Sequence, residues 1–120
     1  MGEVRKFETG ATRDSEIGKN DYEGFIDPFV LEEFGNYMTK HRIQSDGTLR
    51  DSDNWKKGIP KTAYMKSLWR HFLDAWAIHR GYTRIDKQTG KEITLLEAFC
   101  AILFNVMGYM YEILKDKNGK

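Results

Sequence analysis

Leu95-Leu96-Glu97-Ala98-Phe99-Cys100-Ala101-Ile102-Leu103-Phe104-Asn105-Val106-Met107-Gly108-Tyr109 decides the fold class. Read at about 100° per residue, it is apolar nearly all round except for one stripe: Glu97, Ala101, Asn105, Gly108 and Glu112. A helix apolar on most sides is central in a bundle or lies in an oligomer interface. Thr94 and Glu97 stand at capping-box spacing, so this helix is expected over residues 95–115.

A second segment, Tyr64 to Trp76, places Ser67, His71, Asp74 and Ile78 on one stripe. It belongs to a helix expected over 61–80, stopped by Gly81. Leu68, Trp69, Phe72 and Trp76 read as core. A third helix starts at Asp27-Pro28, an N-cap followed by a residue suited to the first helical position. It runs to about His41, a last-turn residue, with Val30, Phe34, Tyr37, Met38 and His41 as its apolar stripe.

Residues 1–26 lack a sustained period and read as an extended arm whose Tyr22, Phe25 and Ile26 dock on the body. Residues 42–60 and 82–93 read as loops, the second with a Thr89-Gly90 turn and room for a short hairpin. The expectation is an all-α fold: one domain over 1–120, a small bundle of three main helices (27–120) carrying an N-terminal arm (1–26). Three helices of this size barely cover one another, which calls for a homo-oligomer, a dimer or tetramer, to complete the core.

The 120 residues carry 19 Lys and Arg against 18 Asp and Glu, a net charge of +1. No one-sided basic field exists to hold duplex nucleic acid. One cysteine, Cys100, excludes a disulfide framework and suits a reducing cytoplasm. The N-terminus lacks an apolar signal region, and the run Ala98 to Met110 is too short to span a bilayer. A soluble cytoplasmic protein without a membrane partner is expected.

His71 and Asp74 are i, i+3 neighbours, and Glu97 on the last helix could face them. An imidazole with two carboxylates suits Mg²⁺ or Mn²⁺, with Asp74 and Glu97 as ligands. The competing reading is a local His71–Asp74 hydrogen bond and a cap at Glu97. Asp53-Asn54-Trp55-Lys56-Lys57-Gly58 joins an amide, an aromatic plate and two ammonium groups, a set that suits a nucleotide. Arg13, Lys19 and Arg70 are further candidate phosphate donors. No Gly-rich phosphate loop, zinc spacing or serine nucleophile elbow occurs.

Several of these segments carry a resemblance: Gly10-Ala11-Thr12-Arg13-Asp14, Gly18-Lys19-Asn20-Asp21-Tyr22-Glu23-Gly24, Asp53 to Gly58, Ser67-Leu68-Trp69-Arg70-His71 and Glu97 to Asn105. In order and wording they resemble the dATP/dGTP diphosphohydrolase N-terminal domain family of bacteriophages, over roughly residues 9–115. That family is similar to the MazG-type all-α nucleotide pyrophosphohydrolases. The resemblance implies an oligomeric phage enzyme in the host cytoplasm that cleaves a purine deoxynucleoside triphosphate to monophosphate and pyrophosphate with Mg²⁺ or Mn²⁺. The sequence departs from the MazG pattern of Glu-x-x-Glu and Glu-x-x-Asp. Its first box is His71-x-x-Asp74, and its second begins at Glu97 but has Cys100 where an acid is expected.

Two functions follow as expectations. In a hydrolase, His71, Asp74 and Glu97 are catalytic. Arg13, Lys19, Lys56 and Arg70 hold phosphates, Trp55 or Tyr22 stacks the base, and Asn54 and Asn105 supply further substrate contacts. In a catalytically silent relative, the same pocket sequesters a small nucleotide, including a host immune signal, as an anti-defence sponge. A helical oligomer without a small ligand is the plainest alternative.

Overall fold

The computed structural model describes residues 3–117. Two compact units divide the chain, Met1–Leu31 and Glu32–Lys120. The first unit opens with antiparallel strands β1 (Val4–Lys6) and β2 (Thr12–Asp14), paired Val4 to Asp14 and Lys6 to Thr12. Gly10, at φ +88°, closes the turn, its N–H donating to Phe7 O at 2.9 Å. A short helix α1 (Tyr22–Phe25) follows, capped by Asp21, whose Oδ1 accepts from Gly24 N. Tyr22, Phe25 and Ile26 are exposed.

The all-α expectation is therefore corrected. The described chain is mixed: four α-helices, about 55% helical, plus a two-stranded antiparallel sheet inside what read as a featureless arm. Strands of three residues, Val-Arg-Lys and Thr-Arg-Asp, are too short and too polar to show a period of two.

Helix α2 (Pro28–Lys40) starts where expected. Asp27 Oδ2 accepts from Phe29 N at 2.9 Å and Val30 N at 3.1 Å. Residues 42–60 are more ordered than a plain loop. Ile43 bridges Leu49 across an Asp46-Gly47 turn, and Asn54–Lys57 form a 3₁₀ turn. Helix α3 (Lys61–His79) ends in a Schellman arrangement: Gly81 N donates to Ile78 O and Tyr82 N to Ala77 O, each 2.9 Å, with Gly81 at φ +93°. A bridge between Ile85 and Glu92 supplies the short hairpin in the next loop. Helix α4 (Leu95–Lys117) starts in the expected capping box, Glu97 N donating to Thr94 Oγ1 at 3.1 Å and Thr94 N to Glu97 Oε1 at 3.4 Å.

In the second unit α4 packs along α3. Of its six buried residues, Ala98, Ala101, Asn105, Gly108 and Glu112 share one face while Cys100 lies apart from it, so most of the polar stripe read from sequence is the helix–helix seam. Small residues let the two backbones approach, and Tyr64 of α3, only 2% exposed, lies over Gly108. A Cβ at Gly108 would fall on the Tyr64 ring and 2.6 Å from its hydroxyl. At 23 residues α4 is long and apolar enough, by length and composition, to cross a membrane, unlike the shorter run read from sequence; a third of its apolar window is buried in the chain.

Two tests address the seam. Gly108→Ala is expected to destabilise the protein by about 1–3 kcal/mol in urea denaturation, because the ring has no room to yield. Tyr64→Phe is expected to change stability by less than about 1 kcal/mol, since the Tyr64 hydroxyl is buried with no hydrogen-bond partner among the described residues.

Candidate functional site

A cavity of about 520 Å³ lies wholly within the second unit. The last turn of α2 contributes Tyr37, His41 follows just beyond it, and the Ile43–Leu49 hairpin brings Arg42 and Arg50 to the lining. The 3₁₀ turn adds Asn54 and Trp55, α3 adds Ser67 and His71, and α4 adds Phe104 and Asn105. Such a volume falls within the range of small-ligand sites.

Most of the wall is neutral, with two arginines among the lining residues. Arg42 and Arg50 face one acid, Asp51, among the lining residues. Arg42 Nε donates to Arg50 O at 2.9 Å, which fixes the guanidinium plane while leaving most of its five donors for an anion. His41 Nδ1 lies 2.9 Å from Tyr37 O, and the two rings stack with centroids 4.0 Å apart. Burial pushes the Tyr37 phenol up to about 12, with Cys100, Glu97 and Asp86 adding to it, so it remains a neutral hydroxyl. Burial also holds the His71 imidazole below its ordinary 6.5; Asp74 opposes the shift, while Arg70 and His41 reinforce it.

Of the residues singled out in the sequence, Asn54, Trp55, His71 and Asn105 meet at this cavity. Trp55 is also a packing residue, edge-on to Tyr111 at 5.0 Å and Phe104 at 6.1 Å. Asn105 Nδ2 donates to Ala101 O at 2.8 Å, one turn back on its own helix. Lys56 sits over the Trp55 ring at 5.5 Å, and Arg70 is an exposed residue of α3; neither lines the cavity. Arg13, Lys19 and Tyr22 belong to the N-terminal unit.

The carboxylates expected to hold Mg²⁺ or Mn²⁺ are engaged separately. Asp74 accepts from Arg84 Nε at 2.9 Å, with its side chain 18% exposed. Glu97 closes the capping box and lies 3.9 Å from Lys40 Nζ. Among the described residues no three His, Cys, Asp or Glu side chains meet to cage a cation. His71, expected as a catalytic residue, and Asp74 and Glu97, expected as the metal ligands, are not gathered into one group of three. The physical reason is local: a nearby guanidinium and the first turn of α4 have claimed the two carboxylates.

Arg42, Arg50, Tyr37 and His41 were not picked out from sequence as a site. A signal existed for the arginines. Asp46-Gly47 is a hairpin turn pair, and pairing Ile43 with Leu49 across it sets Arg42 opposite Arg50.

Thr94→Ala is expected to cost about 1 kcal/mol of stability in thermal or chemical denaturation, the usual worth of an N-cap. The His71 shift sets a pH dependence. The folded state binds fewer protons than the unfolded chain below about pH 6.5, so the stabilisation from neutral His71 is full above that pH and is lost as pH falls through the folded value. Urea midpoints measured from neutral to acidic pH are expected to decline less steeply in His71→Gln.

Compared with known proteins, the chain matches no family model, no curated protein and no solved structure.

Proposed function

We propose that this protein binds a small phosphorylated nucleotide in the cavity of the second unit and retains it without hydrolysis. One observation carries the reading: two arginines and two histidines line a cavity that holds a single acid and three aromatic rings, Tyr37, Trp55 and Phe104. Guanidinium groups match phosphate oxygens in a bidentate geometry, and aromatic walls suit a base. The Tyr37 hydroxyl and the Ser67 and Asn54 side chains add neutral partners for a sugar or base edge. What supports retention over turnover is that Asp74 pairs with Arg84 and the Glu97 carboxylate accepts from Thr94, with no group of three metal-ligating side chains among the described residues. The purine preference rests on the resemblance alone, and so does the sequestering of a host signal by a phage.

A nucleotide panel incubated with and without Mn²⁺, followed by chromatography of the solution and of heat-denatured protein, tests this. The expected result is an intact nucleotide depleted from solution, with or without Mn²⁺, and released by heat. Arg50→Ala is expected to weaken its binding about tenfold or more, the worth of one charged hydrogen bond. This variant leaves the Arg42–Arg50 bond in place, since that bond uses the Arg50 carbonyl. Appearance of monophosphate and pyrophosphate with Mn²⁺ establishes the hydrolase instead, and a panel without binding overturns the nucleotide reading.

A further inference from the structure

One ring on the cavity wall is fixed on one side and open on the other. His41 Nδ1 lies 2.9 Å from Tyr37 O, the carbonyl that also accepts from the His41 backbone N–H at 3.1 Å. A carbonyl oxygen only accepts, so Nδ1 carries a proton in either charge state of the ring. The neutral ring is therefore the Nδ1–H tautomer, and its Nε2 presents a lone pair. That nitrogen has no hydrogen bond to the described residues, on a side chain that lines the cavity. Toward a phosphate oxygen, a bare Nε2 sets lone pair against lone pair. It donates only once it has taken up a proton, and the bond it then makes is charge-assisted.

The groups around the ring pull both ways. The Tyr37 ring stacks on it at 4.0 Å between centroids and favours a cation. So do the last carbonyls of α2, which ends at Lys40, and Asp51, the acid of the lining. Asp86 of the 82–93 loop and Glu97 of α4 bear on the same Tyr37 ring, and Glu97 lies 3.9 Å from Lys40 Nζ, which offsets that neighbour. On α3, Asp74 pairs with Arg84, and Arg70 is exposed. Against a charged ring stand Arg42, Arg50 and His71, which line the same cavity. Charge on His41 is one cause that holds the His71 imidazole below 6.5, so the two imidazoles oppose each other's protonation. An anion seated among these groups removes the repulsion and favours the proton.

We propose that the cavity binds anions together with a proton: each phosphate or sulfate group held by Arg42 and Arg50 places one proton on His41 Nε2, which donates to the anion. The bound anion strengthens the hold of Nε2 on its proton. The gain in affinity is therefore full below the pH at which the free ring titrates and is lost as pH rises through the titration of the bound ring. Imidazole titrates near neutral pH, so the site tightens on acidification within the physiological range. This control rests on the reading of the cavity as the phosphate site of a nucleotide.

Sulfate is the probe, because it stays a dianion across this range and any pH effect belongs to the protein. Its affinity for the full chain is read from NMR shifts at about pH 7.5 and about pH 5.5, with ionic strength held constant by sodium chloride. Sulfate is expected to bind about five- to tenfold more tightly at the lower pH, the effect of one obligatory imidazole proton. His41→Gln is expected to cut that ratio to about twofold or less, since an amide donates at every pH, whereas His71→Gln retains it. In the unaltered chain the neutral His41 ring is expected to show the Nδ1–H tautomer, and its titration midpoint to rise when sulfate is added. Should His41→Gln unfold, that shift of midpoint decides. Sulfate bound equally at both pH values overturns the proposal and leaves the nucleotide reading standing. So does a pH dependence that survives His41→Gln, or a neutral ring protonated on Nε2. No sulfate binding at either pH overturns the proposal together with the anion site itself. Proton-linked sulfate binding beside a blank nucleotide panel supports the proposal and overturns the nucleotide reading alone.

Discussion

The contact between Tyr64 and Gly108 is the constraint on which the second unit depends. It brings α3 and α4 together at a spacing that no side chain at position 108 would allow. Ala98 and Ala101 continue the same close approach along α4, and Ala75 does so from α3. Small residues line much of the seam, and large side chains such as Trp69 and Trp76 of α3 and Phe99 and Met110 of α4 stay exposed.

The polar groups on the seam are explained by the same geometry. Asn105 satisfies its amide on its own helix through Ala101 O, and Glu112 is paired with Lys115 Nζ at 3.2 Å. Burial raises the Tyr64 phenol, and Glu112 raises it further, which keeps a neutral ring beside a carboxylate. The stripe is only partly satisfied, since Glu112 Oε2 and the Tyr64 hydroxyl are buried with no hydrogen-bond partner among the described residues. Glu97, one turn from the start, is occupied by the cap.

What remains for chemistry lies at the edge of the seam, where the end of α2 and the hairpin 42–50 lean over α3 and α4. There the wall carries two arginines, one acid and three aromatic rings. This charge balance suits holding an anion, and it differs in kind from the carboxylate box that the spacing of His71, Asp74 and Glu97 suggested.

Local signals determined much of the chain. Asp27-Pro28, Gly81 and the Thr94–Glu97 pair each act within a few residues, and they set the starts of α2 and α4 and the end of α3 as expected. Loop chemistry and helical period put forward Asn54, Trp55, His71 and Asn105, which line the candidate cavity. The hairpin of the first unit escaped, since three-residue strands carry no period. Only the tertiary structure decided which face of each helix is hidden. Burial depends on what the neighbouring helix presents, so Trp69 and Trp76 read as core yet lie exposed. It also decided which partner each carboxylate takes, because Arg84 reaches Asp74 from a loop ten residues away through a turn that sequence spacing does not describe.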